Sequence, residues 1–362
     1  MNQNYSIYFF VIILFMSGCG TSKNEDSAEA INDNQVTEST VPRWIKLETG
    51  TSASLRGLHT VNDQIAWASG SSGSVLRTIN GGKTWKLFTV KGAEELDFRD
   101  IQGFDENTAI IISAGLPAKI YKTVNGGETW QQKYLNNREG IFFDAMDFWD
   151  DDNGIAFSDP IEGRLFVIIT EDGGDTWKEI SKENFPQTME SEAGFAASGT
   201  CLRVQGNSHA WIGLGGPAAR VFYTTDKGKS WQVSETPIMH DAPTKGIFSL
   251  AFNGTSMGLA VGGDYANDTL RNGNAALTND GGKSWKVINE NNPGGFRSCV
   301  EYLDSKGKNV IAVGTSGCDF SEDGGINWIP MDTIGYHAVS FAPDGETGFA
   351  SGSNGRIAKF SY

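Results

Sequence analysis

Six segments of this chain follow one pattern, Ser/Thr-x-Asp/Asn-x-Gly-x-Thr/Ser-Trp, with Asn327 in place of the hydroxyl residue in the last copy. They end on Trp85, Trp130, Trp177, Trp231, Trp285 and Trp328, at spacings of 45, 47, 54, 54 and 43 residues. A period near 46 is that of a blade repeat, in which each unit must stack on its neighbours to bury its apolar face. The chemistry of the segment is that of a tight turn. Asp or Asn caps nearby backbone amides, the following glycines supply positive φ, and the flanking hydroxyls close further side-chain-to-backbone bonds. The Trp then opens a strand and offers a large apolar body to the neighbouring unit. Because these Asp and Asn residues lie on separate units and two of the six are Asn, no cluster of oxygen ligands converges on a metal.

Around each turn the same short β-rich runs recur, four to a unit. In the second unit they are 98–102, 108–113, 119–123 and 129–133, bounded by Gly and Asn. A seventh unit, spanning 336–360, has only three runs. The missing fourth is at the other end of the chain, 43–47, where Trp44 stands for the Trp of the turn. The sequence therefore predicts an all-β fold: a seven-bladed β-propeller of four-stranded antiparallel blades, closed by pairing the N- and C-terminal strands so that no edge is left open. Its domain runs from 42 to 362. The high count of 45 Gly fits so many turns, and 11% aromatic residues exclude disorder for most of the chain.

What precedes the propeller reads as targeting. Residues 7–16 are an apolar run too short to span a bilayer. Met16-Ser17-Gly18-Cys19 follows and resembles the lipobox of bacterial lipoproteins, which implies a signal peptide over 1–18 and a lipid on Cys19. Residues 19–41 then read as an acidic, aromatic-free flexible linker. These features predict a protein anchored by lipid to the membrane of a bacterial cell envelope, on its periplasmic or surface side. With 29 Lys+Arg against 44 Asp+Glu, the formal charge is −15, which disfavours nucleic acid as a partner. A monomer is expected.

The six turns resemble the Asp-box of sialidase-like and sortilin-like propellers. The run from Gly70 to Trp85 also resembles the photosystem II stability/assembly factor-like BNR repeat family. The resemblance implies a seven-bladed propeller and a scaffold that binds a protein or peptide. It does not carry the photosystem role over to this chain. The alternative it leaves open is a sialidase-like glycan-binding or glycoside hydrolase protein. Such enzymes use an Arg triad, a Tyr nucleophile and an Asp acid; Arg56, Arg99 and Arg297 could supply the first, Tyr265 or Tyr336 the second, and Asp144 or Asp159 the third. Their Phe/Tyr-Arg-Ile-Pro motif is absent, and no dinucleotide-binding glycine fingerprint supports an oxidoreductase. No cofactor is implied, and binding is favoured over catalysis.

Aligning the innermost strands puts Arg56, Arg99, Asp144, Thr200, Phe248, Arg297 and His337 in one column at the channel mouth. These residues either pair with acids such as Asp100 and Asp144 or form a site for a carboxylate-bearing partner. Long loops between second and third strands, carrying Asp159, Asp264 and Tyr265, join the same face. The cysteines are expected to be free thiols. Cys299 and Cys318 fall on strands separated by a third, about 9–10 Å apart.

Overall fold

The computed structural model describes residues 41–288 and 292–362; the signal-peptide, Cys19 and most of the linker expectations lie outside the described residues. Six of the seven sheets pair their strands in chain order, and the seventh joins the two ends of the chain. We label the strands of each blade a to d from the channel outward. Blade 1 is typical: a Leu55–Thr60, b Ala66–Gly70, c Ser74–Thr78, d Lys86–Thr89. The inner strands are buried along their length while strand d is mostly exposed, which explains why a and b read as apolar runs and d reads as polar.

Blade 7 takes its a, b and c strands from the C-terminus, Ala338–Phe341, Gly348–Ser351 and Ile357–Ser361. Its d strand is Arg43–Leu47, paired antiparallel from Arg43↔Ser361 to Leu47↔Ile357. The ring closes as expected. Trp44 packs at 5.7 Å from both Tyr336 and Phe360.

The repeated turn has the chemistry the sequence implies. In blade 3, Thr176 donates its backbone N–H to Asp172 Oδ1 (2.8 Å) and its hydroxyl to Oδ2 (2.6 Å), while Gly174 N–H donates to Thr170 Oγ1 (2.9 Å). These donors, chiefly the Thr176 hydroxyl, pull the Asp172 carboxyl down to about 2. The box Trp does more than pack: Trp177, Trp231, Trp285 and Trp328 donate indole N–H to the carbonyls of Gly174, Gly228, Gly282 and Gly325 in their own turns.

Cys201, Cys299 and Cys318 are buried free thiols. Cys299 and Cys318 both pair in register with Val313, which lies between them.

Two features depart from the regular blade. Blade 5 has a fifth strand, Gly215–Gly216, laid on the inner side of its a strand Ala242–Asn253. In blade 4, about twenty residues separate strand d of blade 3 (Lys178–Glu179) from strand a (Leu202–Gln205). Part of that insertion crosses the channel.

Candidate binding site at the channel mouth

The insertion is anchored before it enters the channel. Arg220 donates Nε–H to Glu192 Oε1 (2.8 Å) and pairs with it again through Nη2, both side chains being buried. Ala193 then bridges to Gly215. From Gly194 to Gly199 the chain lies over the ends of the a strands like a plug. Gly194 N–H donates to Asp159 Oδ1 (2.8 Å), and Ser198 Oγ–H donates to Ser298 O (2.7 Å) in blade 6. The carbonyls of Ala197 and Ala196 accept from Arg56 of blade 1 (3.2 Å) and Arg99 of blade 2 (3.5 Å). Gly is required at both ends. A Cβ on Gly194 would stand 2.6 Å from the Asp144 carboxyl, and one on Gly199, at φ +75°, would run into that of Asp100.

Above the plug is an open cavity of about 390 Å³. Arg56 and Arg99 form one wall. Arg99 donates Nε–H to Asp97 Oδ2 (2.7 Å) and rests 5.9 Å from the Phe142 ring. The opposite wall is aromatic: Phe195 stacks on Phe248 at 3.8 Å, Phe296 meets Phe248 edge-on at 4.6 Å, and Tyr265 does so at 6.1 Å. Burial, followed by repulsion from Arg99, lowers the Arg56 guanidinium's affinity for its proton, with Asp97 acting against both. Two guanidiniums thus stand together with one nearby carboxylate, which is ion-paired to Arg99. Such a pocket favours an anionic guest with an apolar or aromatic part.

The sequence column is only partly assembled here. Arg56, Arg99, Phe248, Tyr265 and His337 line the cavity. His337 contributes no charge: burial, then the nearby Arg56, pushes its ring down to about 3, and Nε2 lies 2.9 Å from Ser353 Oγ. Arg297 corrects the expectation. It is 2% exposed and spends its donors on Asp319 (Nε, 2.6 Å), Phe296 O and Ser316 Oγ. A guanidinium this deep must be fully paired, so it fixes blade 6 instead of facing the channel. Thr200 is also inside, donating to Ser249 Oγ (2.6 Å), and Asp264 is buried, accepting from Ala266 N–H (3.0 Å).

Asp144 is buried beneath Gly194 and faces Asp159. Burial, then the facing Asp159, pushes its carboxyl well up, and burial pushes Asp159 up to about 6. Both carboxyl oxygens of Asp144 are buried without a hydrogen-bond partner among the described residues. The Arg triad, Tyr and exposed Asp of a sialidase-like centre are therefore not brought together.

Sequence reasoning did not single out the plug or the channel interior. Beneath Ser198 and Gly199, a cavity of about 100 Å³ holds Asp100, Asp147, Glu301, Arg203 and His59. Burial drives Asp100 and Glu301 up to about 7 and Asp147 upward; it also drives His59 down to about 4. The long Trp177–Trp231 spacing was the available signal for the plug.

Residues 34–140 match the family model described as photosynthesis system II assembly factor YCF48. No curated protein matches the sequence. Among solved structures, "YCF48 bound to D1 peptide" superposes with a TM-score of 0.64 at 15% identity, covering 89% of this chain and 100% of that one. YCF48 from Cyanidioschyzon merolae gives 0.63 at 17%, covering 88% and 98%. The family 74 xyloglucanase of Xanthomonas campestris gives 0.61 at 15%, covering 88% of this chain but 53% of the enzyme. At such identities the likeness is one of fold. The repeat and the seven-blade ring agree with these comparisons: the chain is a seven-bladed β-propeller whose residues 34–140 match the YCF48 family model.

Proposed function

We propose that the protein is an envelope-anchored scaffold whose channel mouth captures a carboxylate-bearing segment of a protein or peptide. One observation carries this reading: Arg56 and Arg99 stand side by side opposite a wall of Phe195, Phe248, Phe296 and Tyr265. Nothing in the blade repeat requires that juxtaposition. The YCF48 structure with a bound D1 peptide supports a peptide as the guest. A lipid on Cys19 would hold the scaffold where nascent envelope proteins are assembled.

The test is binding of a labelled eight-residue peptide containing two Asp and one Phe. Losing a charge-assisted hydrogen bond costs about 1.5–3 kcal/mol, so Arg56→Ala and Arg99→Ala should each weaken Kd about 10- to 100-fold. Affinity should also fall with salt. An unchanged Kd in both variants refutes the site. Separately, Cys19→Ala should move the protein from the membrane to the soluble fraction, and continued membrane association would refute the anchor.

A further inference from the structure

The blades differ at one position that faces the seams between them. The residue preceding the box Thr/Ser on strand c is a long cation in three blades, and each reaches across to the next blade. Arg77 donates to Glu106 O, Lys122 pairs with Asp175 (3.2 Å), and Lys359, at the same register in blade 7, donates to Gly81 O (2.9 Å). In blades 4 and 6 the position holds the aromatic residues Tyr223 and Phe320, and in blades 3 and 5 the aliphatic residues Ile169 and Leu277. Neither aliphatic residue can bridge, and both their seams carry a cavity on the turn-bearing face, of about 420 and 670 Å³ respectively.

The larger, between blades 5 and 6, has an apolar lining of Met257, Leu277 and Ile326, with Ile326 and Met257 substantially exposed. Lys286, Lys306 and Lys308 stand around it, all exposed. None of the three forms an ion pair among the described residues. Of the acids in the lining, Asp323 is engaged within its own turn by Asn327; Glu322 is the other. In a chain of charge −15, three such ammonium groups around an apolar concavity are an excess that the fold does not use.

We propose that this seam is a second docking groove, distinct from the channel mouth, for an extended polypeptide segment that alternates acidic and aliphatic residues. The alternation follows from the geometry: carboxylates meet the lysine rim while aliphatic side chains enter the floor. A concave seam suits a chain better than a flat lipid surface does.

The full chain is titrated with a labelled twelve-residue peptide of alternating Glu and Leu, blocked at both ends, followed by carbodiimide cross-linking and mass spectrometry. Cross-links should fall on Lys286, Lys306 and Lys308, and Lys286→Glu combined with Lys308→Glu should weaken binding at least tenfold. Leu277→Arg is the sharper variant. It gives blade 5 the bridging cation that Arg77 supplies in blade 1, so it should close the seam, keep the melting temperature and abolish binding, although it adds positive charge. Binding that strengthens in Leu277→Arg would mean surface charge alone attracts the peptide and would overturn the groove. So would loss of binding in Arg99→Ala with cross-links absent from the three lysines, which would assign the probe to the mouth. Lysine-dependent retention on anionic phospholipid vesicles without peptide binding would overturn the polypeptide occupant.

Discussion

The buried carboxyls of the channel should make this protein lose stability above pH 6.5. Asp100 and Glu301 ionise near 4 in the unfolded chain, while burial holds them protonated to about 7 in the fold. Between those values unfolding releases a proton from each, so raising pH favours unfolding by about 1.4 kcal/mol per pH unit per group. His59 and His337 act oppositely. Unfolded, they take up protons below about 6.5. Folded, they stay neutral down to about 4 and about 3. Stability therefore rises with pH across that interval and offsets the two carboxyls up to about pH 6.5. Above it, the unfolded-state histidines are more than half deprotonated and their offset fades, so the carboxyls dominate. From pH 6.5 to 7.5 Asp100 and Glu301 together should cost about 1–2 kcal/mol, and Asp144, held well above its ordinary range, adds to the fall. Urea denaturation followed by Trp fluorescence measures this. With m of roughly 4 kcal/mol/M for a domain this size, the midpoint should drop by about 0.5 M. Glu301→Gln keeps an acceptor for Phe341 N–H and removes one titration, so its midpoint should drop by clearly less. A midpoint that is flat or rising from pH 6.5 to 7.5, or an unaltered slope in Glu301→Gln, would refute the assignment of these protons.

Three further outcomes are expected. Arg297→Ala leaves Asp319 charged and unpaired in a site 2% exposed, and should cost about 3–5 kcal/mol, read as a clear fall in melting temperature. Trp44→Ala removes about 100 Å² of apolar contact with Tyr336 and Phe360 at the ring closure, which is worth about 2 kcal/mol in denaturant titration; no loss would argue against the closing strand. Gly199→Ala combines a left-handed φ with a clash against Asp100, and should destabilise by about 2 kcal/mol and speed amide exchange in residues 193–199, with wild-type exchange counting against the plug.

The architecture was legible because it is repeated. Six turns with the same hydrogen-bonding residues fix six strand pairs, and the unpaired Trp44 strand has one place left to go. The site was legible only in part, for a physical reason. Position in an aligned strand tells which residues sit at the mouth, but not which way a flexible Arg turns. Arg56 and Arg99 have an open cavity beside them, whereas Arg297 has the carboxylate of Asp319, brought to it by strand c of its own blade, Gly317–Ser321. No local pattern announced that pairing. The plug escaped notice because its determinants are glycines and small residues, whose role appears only when Asp100 and Asp144 are seen underneath them.

Function in a ring of near-identical units is to be sought where one unit breaks the rule of the others. A perfect repeat would give seven equivalent seams and an open, uniform channel, with no position preferred by any partner. Here blade 4 carries an insertion that closes the channel and donates Phe195 to one wall of the mouth, and its two glycines rest on carboxyls that burial keeps protonated. Blade 5, like blade 3, carries an aliphatic residue where blades 1, 2 and 7 carry a bridging cation, and the larger of the two seam cavities stands beside its Leu277. Neither departure improves local packing: the first depends on two buried acids held at raised pKa, and the second gives up a cross-blade contact worth a few tenths of a kcal/mol or more. Features that cost stability in this way are expected at sites of use rather than in scaffolding. The two departures lie on opposite faces of the ring, so one partner chain could not fill both by a single short contact. If both sites bind polypeptide, their loss should be additive in free energy for two separate ligands and more than additive for one long ligand that engages both, a distinction that the double variant Arg99→Ala with Leu277→Arg would measure.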